Sequence, residues 1–238
     1  MFYYSTRVNY ILIAAAVIPA VLLLLRINRA DKLEKEPPRL LISLVIFGIF
    51  STFLAMITEQ LGMAILGAIF PEGSLTGSLL LYYVVVGGSE EGIKYLLLKK
   101  RTWKNPNFNC QFDGVVYAVY VSLGFALWEN ISYVLTYGLG TALVRAVTAV
   151  PGHACFGVFM GAFYGLAKRA ENAGDPARAR RCRRMAFWVP LLIHGTYDFI
   201  TTLDASFSSL LFVAFIGILF AVAMRLVKKQ SREDRYIA

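Results

Sequence analysis

Long apolar segments dominate this sequence and constrain its fold more than any other feature. Several of them approach or exceed the roughly 20 residues that an α-helix needs to cross the hydrocarbon core of a bilayer. Only 16% of the 238 residues are charged, whereas soluble domains carry about 25%. The pattern therefore predicts an all-α, polytopic integral membrane protein, in which residues 1–238 form a single transmembrane domain.

We predict seven membrane spans, joined by short connections that favour antiparallel neighbours in one helical bundle. The spans are residues 8–27, 40–60, 79–98, 114–137, 142–167, 186–203 and 206–226. The first span is longer than the apolar core of a signal peptide, and no small-residue cleavage site follows it. We therefore expect the first span to be retained.

Basic residues are concentrated in alternate connections between the predicted spans. The connections rich in Lys and Arg are 26–39, 99–113, 168–184 and the tail from Arg225, which together hold 21 of the 24 basic residues. The intervening connections, 71–78, 138–141 and 204–205, hold none. Because cytoplasmic loops are enriched in Lys and Arg, the N-terminus is predicted outside and the C-terminus in the cytoplasm. The net charge of +9 is then explained by topology and contacts with lipid head groups, without a nucleic-acid partner.

The three cysteines do not suggest a disulfide framework. Cys110 and Cys182 fall in predicted cytoplasmic loops, and Cys155 falls within a span. The cytoplasm keeps thiols reduced, and the sequence contains no CxxC motif of the kind that binds zinc or carries out redox chemistry.

Ionisable residues within the predicted spans are the main functional signal. They are Glu90, Glu91, Lys94, Glu129, Arg145, His153, His194 and Asp198, with Glu59 at the end of the second span. Both histidines of the protein are in this set. A charge at the centre of a bilayer costs on the order of 3 kcal/mol. Five of these residues, Glu90, Glu91, Lys94, Glu129 and Asp198, would therefore cost about 15 kcal/mol if they faced lipid. We therefore expect these side chains to face one another or a hydrated cavity.

Helical spacing predicts which of these residues are neighbours. Lys94 lies four residues after Glu90 and three after Glu91, so it can neutralise either carboxylate. The same spacing places His194 and Asp198 on one face of the sixth span. The segment around Glu90 also contains glycines at 87, 88 and 92, which allow another backbone to approach closely or the helix to break.

The fifth span carries a ridge of small residues. His153, Gly157, Gly161 and Gly165 are spaced four residues apart, which is the pattern of closely packed membrane helices. We expect this ridge to pack inside the bundle and to turn His153 inward. Arg145, near the outer end of the same span, is predicted to extend its charged group toward the membrane surface.

Several kinds of chemistry are compatible with these residues. A glutamate with a histidine can activate water for amide hydrolysis, and two histidines with a glutamate can instead bind zinc. The sequence contains neither HExxH nor GxSxG, the common signatures of helical zinc sites and of serine hydrolases. A proton- or ion-coupled transporter would use the same residue types, and a non-catalytic scaffold or immunity factor could use them to cross-link helices.

Five motifs, in order along the chain, resemble the PrsW family of intramembrane proteases, which is related to the type II CAAX prenyl protease superfamily. They are "EKEP" (34–37), "EEGIK" (90–94), "GFALWENISY" (124–133), His153 in a glycine-rich helix, and "HGTYD" (194–198). The resemblance implies a transmembrane protease domain over residues 1–238, in the bacterial cytoplasmic membrane. It also implies a single-span membrane protein as substrate, such as an anti-sigma factor that is cleaved on its extracytoplasmic side.

The resemblance also implies roles for individual residues. Glu90 would activate water together with His153, and His194 with Asp198 would polarise the scissile carbonyl. Glu91 and Lys94 are expected to support Glu90, and Glu129 is a further candidate for the catalytic site. We favour glutamate catalysis without a metal or other cofactor, with zinc held by Glu90, His153 and His194 as the alternative.

Overall fold

The computed structural model describes residues 10–203 and 206–237, which are helical apart from short connections and one isolated β-bridge between Cys110 and Tyr236. The helices are α1 (Tyr10–Ala30), α2 (Pro38–Ile69), α3 (Leu75–Leu79), a π-helical segment (Leu80–Val86), α4 (Gly87–Thr102), α5 (Asp113–Tyr137), α6 (Leu139–Val147), α7 (Ala149–Asn172), α8 (Pro176–Thr201) and α9 (Ser208–Arg232). The predicted all-α fold is confirmed.

The prediction of a polytopic membrane protein is also confirmed. Five helical stretches are long and apolar enough to cross a bilayer: Tyr10–Ala30, Pro38–Ile69, Asp113–Tyr137, Leu139–Asn172 and Ser208–Arg232. The other two predicted spans coincide with the helical run 75–102 and with α8, which carry more charged residues. The count of seven spans, the orientation and the single domain stay predictions. The start of the first span at residue 8, Arg7 and the connection 204–205 lie outside the described residues.

The central helix of the bundle is α5, and glycines bring two other helices into backbone contact with it. On α7, a Cβ atom added to Gly161 would lie 2.4 Å from the carbonyl oxygen of Gly114. On α2, a Cβ added to Gly48 would lie 2.1 Å from the carbonyl oxygen of Val121. The predicted glycine ridge of the fifth span is therefore confirmed as a packing face, and it fixes α7 against α5.

The glycines that precede Glu90 lie where the chain changes from π-helix to α-helix. Gly87 lies against the backbone of α8, where an added Cβ would be 3.2 Å from the carbonyl oxygen of Leu191. Reciprocally, a Cβ on Gly195 would lie 2.5 Å from the ring of Tyr83 in the π-helical segment. The helix continues through these glycines, but the segment just before them, Leu80–Val86, is π-helical. Short π-helical segments are common at functional sites. This close approach positions Glu90 and Glu91 beside α8.

The predicted fifth span, 142–167, lies within the apolar stretch Leu139–Asn172, as predicted, but it consists of two helices instead of one. It is divided at Thr148 into α6 and α7. Pro151 lies in the first turn of α7 and has no N–H to donate to the carbonyl of Val147, so a helix continuing through this point would lose a hydrogen bond. The division places Arg145 on a separate helix from His153.

The connections predicted to be basic meet at one end of the bundle, which we call the basic end. Asn109 Nδ2 donates to Glu34 Oε2 at 3.1 Å, and the backbone N–H of Ile237 donates to the carbonyl of Asn109 at 2.7 Å. The last turn of α7 is joined to the connection after α4 by Trp103 Nε1, which donates to Glu171 at 2.9 Å.

The three cysteines are free. Cys110 lies in a connection at the basic end, as predicted. Cys182 does not lie in a loop: the basic segment around it forms the beginning of α8, where Asp175 caps the helix by accepting from the N–H of Arg178 at 2.9 Å.

Candidate active site

Lys94 lies at the centre of a cluster of ionisable side chains between the helices. Its ammonium group donates to Glu90 Oε2 at 2.9 Å and to Glu91 Oε1 at 2.8 Å, and it lies 3.3 Å from Nδ1 of His153. It also lies 3.7 Å from the ring centroid of Phe125 on α5. The side chain of Lys94 is completely buried, so the ion pairs predicted from helical spacing exist, and Lys94 binds both carboxylates at once.

His153 connects this centre to α5 and α6. Its Nε2 lies 2.9 Å from Oε2 of Glu129. The same carboxylate oxygen accepts from Nη2 of Arg145 at 2.8 Å, and Nε of Arg145 donates to Oδ1 of Asn130 at 3.0 Å. The prediction that Arg145 extends toward the membrane surface is therefore wrong. Its guanidinium group is turned inward, because Glu129 and Asn130 offer two acceptors within reach.

His194 connects the centre to α8. Its Nδ1 lies 3.0 Å from Oε1 of Glu91 and 3.9 Å from Oε2 of Glu90, and its Nε2 lies 3.4 Å from Oδ2 of Asp198. The ring stacks on Phe156 of α7 at a centroid distance of 4.6 Å. His194 and Asp198 were predicted to share one face of a helix. This prediction is confirmed, and the two side chains are close enough to form an ion pair.

All seven residues predicted for the site thus form one connected group, which we call the intramembrane network: Glu90, Glu91, Lys94, Glu129, His153, His194 and Asp198. The rings of His153 and His194 are 5.4 Å apart, centroid to centroid. The predictions that the glycine ridge turns His153 inward, and that both imidazoles meet the glutamate pair, are confirmed. Their catalytic roles stay predictions.

The intramembrane network and Arg145 contain more acids than permanent cations. The four carboxyl groups face two permanent positive charges, those of Lys94 and Arg145, an excess of two carboxylates (4 − 2 = 2) when all are ionised. In a low-dielectric interior such an excess is strongly unfavourable. Protons on the imidazoles or carboxyls, or a bound cation, must therefore compensate for it.

Burial decreases from the centre of the network to its edges. The side chains of Glu91 and Lys94 have no exposed surface, whereas those of Glu129 and Asp198 are 20% and 23% exposed. Asp198 lies three residues before the end of α8, and Glu129 lies eight before the end of α5, about 12 Å by helical rise. The network therefore reaches the protein surface on the side away from the basic end.

The chemistry of the donor groups fits a divalent metal ion. One ligand atom from each of Glu90, Glu91 and His153 lies within 4.8 Å of the other two, and carboxylate oxygens with imidazole nitrogens are typical zinc ligands. Oε2 of Glu91 is also buried without a hydrogen-bond partner. The set differs from the predicted ligands in containing Glu91 in place of His194. In this arrangement the Lys94 ammonium group contacts all three residues, so a metal ion bound among them would have to displace it.

Sequence reasoning missed the contribution of Arg145 to the site and the burial of Glu59. The role of Arg145 was missed because its partners lie on another helix, and no periodicity links α6 to α5. Glu59 was noted only as the end of a span, and it lies within α2. Its Oε1 is buried without a hydrogen-bond partner. An arginine or glutamate in an apolar segment, with no opposite charge on its own helix, was the available signal.

The fold and the site together define a class of protein: a polytopic helical membrane protein with acids and imidazoles gathered between its helices. Residues 36–226 match the family described as "PrsW family intramembrane metalloprotease". The chain belongs to this family, and it is accordingly an intramembrane peptidase and a multi-pass membrane protein.

Relatives from several bacteria resemble the chain over most of its length. "Protease PrsW" of Halalkalibacterium halodurans is 30% identical over 224 residues, covering 94% of this chain and 99% of the relative. The protein of the same name from Bacillus subtilis is 32% identical over 193 residues (81% and 84%), and that from Geobacillus kaustophilus is 34% identical over 191 residues (79% and 79%). No solved structure matches the chain. A bacterial cell membrane is consistent with these relatives, and the family favours the predicted peptidase over the transporter and scaffold alternatives.

Proposed function

We propose that the protein hydrolyses a peptide bond in a single-span membrane protein, and that the intramembrane network is its catalytic centre. The proposal depends on one observation. Acids and imidazoles from α4, α5, α7 and α8 are joined by contacts of 2.8 to 3.4 Å around the buried ammonium group of Lys94. Structural cross-links between helices would need only isolated pairs. A continuous network that reaches the surface at two of its members has the parts that proton transfer requires.

Glu90 is proposed as the general base. It has neighbours that act on its carboxylate from two sides, Lys94 at 2.9 Å and His194 at 3.9 Å. In the proposed step, the Glu90 carboxylate accepts a proton from water while the water oxygen bonds to the scissile carbonyl carbon. The proton then passes to the leaving amide nitrogen as the C–N bond breaks. Glu91 is held between Lys94 and His194, and its proposed role is to keep both in position.

The imidazoles divide the remaining tasks. His153 is fixed by Glu129 at Nε2 and faces Lys94 through Nδ1, which suits a residue that positions the attacking water. His194 is oriented by Asp198 and Glu91, and a proton on its ring can stabilise the negative charge that develops on the carbonyl oxygen. Glu129 and Asp198 thus act through the histidines, as positioning residues.

A divalent metal ion would be held by Glu90, Glu91 and His153, with His194 as the further ligand predicted from the sequence. When bound, such an ion supplies a Lewis acid that polarises a carbonyl and lowers the pKa of water. The excess of two carboxylates in the network is compatible with a divalent cation or with bound protons.

The proposed substrate is a membrane-anchored regulator such as an anti-sigma factor. The support for this substrate is the motif resemblance and the position of the network. Its exposed edges, Glu129 and Asp198, lie away from the basic end, and with the predicted orientation that side is extracytoplasmic. A substrate cleaved near the outer surface of the membrane would meet the network there.

The test is cleavage of single-span peptides by the purified protein in proteoliposomes. Glu90→Gln is expected to lower the rate by about 10²–10⁴-fold, the usual contribution of a general base. The matched control is Glu72→Gln, an exposed acid between α2 and α3, which should leave the rate within twofold. Cleavage that survives both Glu90→Gln and His194→Ala would end the proposal. Loss of cleavage with chelator and its return with zinc would identify metal-dependent hydrolysis.

A further inference from the structure

A second group of acids lies at the basic end, far from the intramembrane network. We call it the acidic cluster; its members are Asp31, Glu34, Glu36, Asp113 and Asp234. Asp113 and Glu129 are both on α5, 16 residues and about 24 Å apart by helical rise. The cluster joins three chain segments: the α1–α2 connection, the beginning of α5 and the C-terminal tail after α9.

Hydrogen bonds hold these three segments together. The backbone N–H of Phe112 donates to Oδ1 of Asp234 at 2.9 Å, and that of Cys110 donates to Oδ2 of Asp113 at 2.7 Å. Tyr117 donates to Oε2 of Glu36 at 2.7 Å. The acids are therefore held in place by neutral donors.

The acidic cluster lacks direct ion pairs within the part of the chain that the structure describes. Among residues 10–203 and 206–237, no Lys, Arg or His nitrogen lies within 4.0 Å of any of its five carboxyl groups. Lys35, the basic residue between Glu34 and Glu36, instead donates to the backbone carbonyls of Asn28 and Asp31. This is unexpected in a chain of net charge +9, at the end of the bundle where its basic connections meet.

Several oxygens of the cluster are buried and have no hydrogen-bond partner. Asp31 is 1% exposed and Asp113 is fully buried. Both carboxylate oxygens of Asp31, Oδ1 of Asp113 and Oδ2 of Asp234 lack a partner, as do the amide oxygens of Asn109 and Gln230. A buried polar atom without a partner costs about 1–3 kcal/mol, and a charged one costs more.

The cost of burying these carboxyl groups also appears in their pKa values. Burial raises the pKa of Asp31 to about 6; the positive charge of Lys35 partly opposes this effect, and the negative charges of Asp234 and Glu34 add to it. Burial also raises the pKa of Glu36 to about 7. The ionised cluster is thus destabilised by burial and mutual repulsion, and a bound cation would relieve both.

We propose that the acidic cluster binds one divalent cation of the oxygen-preferring class, Ca²⁺ or Mg²⁺, and that this ion fixes the C-terminal tail to the α1–α2 and α4–α5 connections. The oxygens without partners are carboxylate and amide oxygens, the ligands that these cations prefer. Among the described residues the carboxyl groups of the cluster do not meet in threes within 4.8 Å. The ion is therefore held by one or two carboxylates, completed by amide oxygens and water, as is usual for Mg²⁺.

The ion would couple its own binding to docking of the tail. The tail is attached by the N–H of Gln111, which donates to the carbonyl of Arg235 at 3.1 Å, and by the N–H of Ile237, which donates to Asn109. Docking brings Asp234 toward Asp31 and Asp113, and the cation removes the repulsion among them. This site does not depend on the function proposed for the intramembrane network.

The test measures Ca²⁺ and Mg²⁺ binding, each alone, to the full-length protein in nanodiscs by isothermal titration calorimetry. The expected result is one ion per chain, with affinity reduced at least tenfold by Asp31→Asn and by Asp234→Asn. The matched control is Glu233→Gln, an exposed acid next to Asp234, which should bind as the wild type does. Glu90→Gln should also retain binding, which separates this site from the intramembrane network.

Amide hydrogen exchange provides the second readout. Adding the cation should slow exchange at Gln111 and Ile237 at least tenfold in the wild type and in Glu233→Gln, but not in Asp234→Asn. The proposal is overturned if neither ion binds, if both aspartate variants bind as tightly as the wild type, or if exchange at these amides responds to pH but not to either cation. The last result would show that protons on the carboxyl groups, and not a metal ion, stabilise the cluster.

Discussion

Replacing Lys94 with methionine should be among the most destabilising single changes in this protein. Methionine is close in size to lysine, so the change removes the charge and leaves little cavity. The ammonium group contacts two carboxylates at 2.8 and 2.9 Å, and its side chain is fully buried. Removing one partner of a buried ion pair costs about 3–5 kcal/mol. The lost cation–π contact with Phe125 at 3.7 Å adds about 1–2 kcal/mol.

We expect Lys94→Met to lower the free energy of unfolding by about 3–5 kcal/mol, because one carboxyl group can take up a proton and so limits the loss. The assay is equilibrium unfolding in mixed detergent micelles. Lys100→Met, on an exposed position of the same helix, is the control and should change the free energy of unfolding by no more than about 0.5 kcal/mol.

A double-mutant cycle then separates the ion pair from other effects. Glu91→Gln in the Lys94→Met background removes one of the unpaired carboxylates, so the double variant should be more stable than Lys94→Met alone. A loss below about 1 kcal/mol for Lys94→Met, the range of exposed ion pairs, together with additive effects in the cycle, would refute the reasoning.

Three further predictions concern the packing and the edge of the network. Gly161→Ala should lower the free energy of unfolding by about 1–3 kcal/mol, because the added Cβ would lie 2.4 Å from the backbone of α5. Gly217→Ala, where the space is open, should be neutral or stabilising in the same equilibrium unfolding assay, and equal effects of the two changes would contradict the packing. Glu129→Gln should reduce peptide cleavage about 10–100-fold with unfolding little changed, as expected for a residue that orients a functional histidine; unchanged cleavage would argue against a positioning role. Arg145→Met should impair cleavage more than Arg145→Lys, since lysine keeps the charge beside Glu129, and equal rates would show that the charge is not needed.

The sequence predicted the members of the site because charges in apolar helices are costly. Glu90, Lys94 and His194 could be recognised without a structure, since a buried charge must find a partner. Helical spacing also predicted contacts within one helix, such as Glu91 with Lys94. Contacts between helices were only expected in general terms, because spacing along one helix carries no information about the rotation of its neighbour.

The division of the fifth span shows the limit of that reasoning. Hydropathy is continuous from α6 to α7, so nothing in the apolar pattern marks the break at Thr148. Pro151 is a local signal of the break, although proline is tolerated in membrane helices. Arg145 was assigned to the membrane surface because it is near the outer end of the predicted span, whereas the structure places it against Glu129 of another helix.

The central claim is that acids and imidazoles from separate helices form one hydrolytic unit around Lys94. The most direct test compares cleavage rates of Glu90→Gln, His194→Ala and the double variant on one membrane peptide, because residues that act as a unit have non-additive effects. We predict that the double variant is no slower than the slower single variant, within about threefold. Losses that multiply, or a His194→Ala protein that cleaves at the wild-type rate, would contradict it.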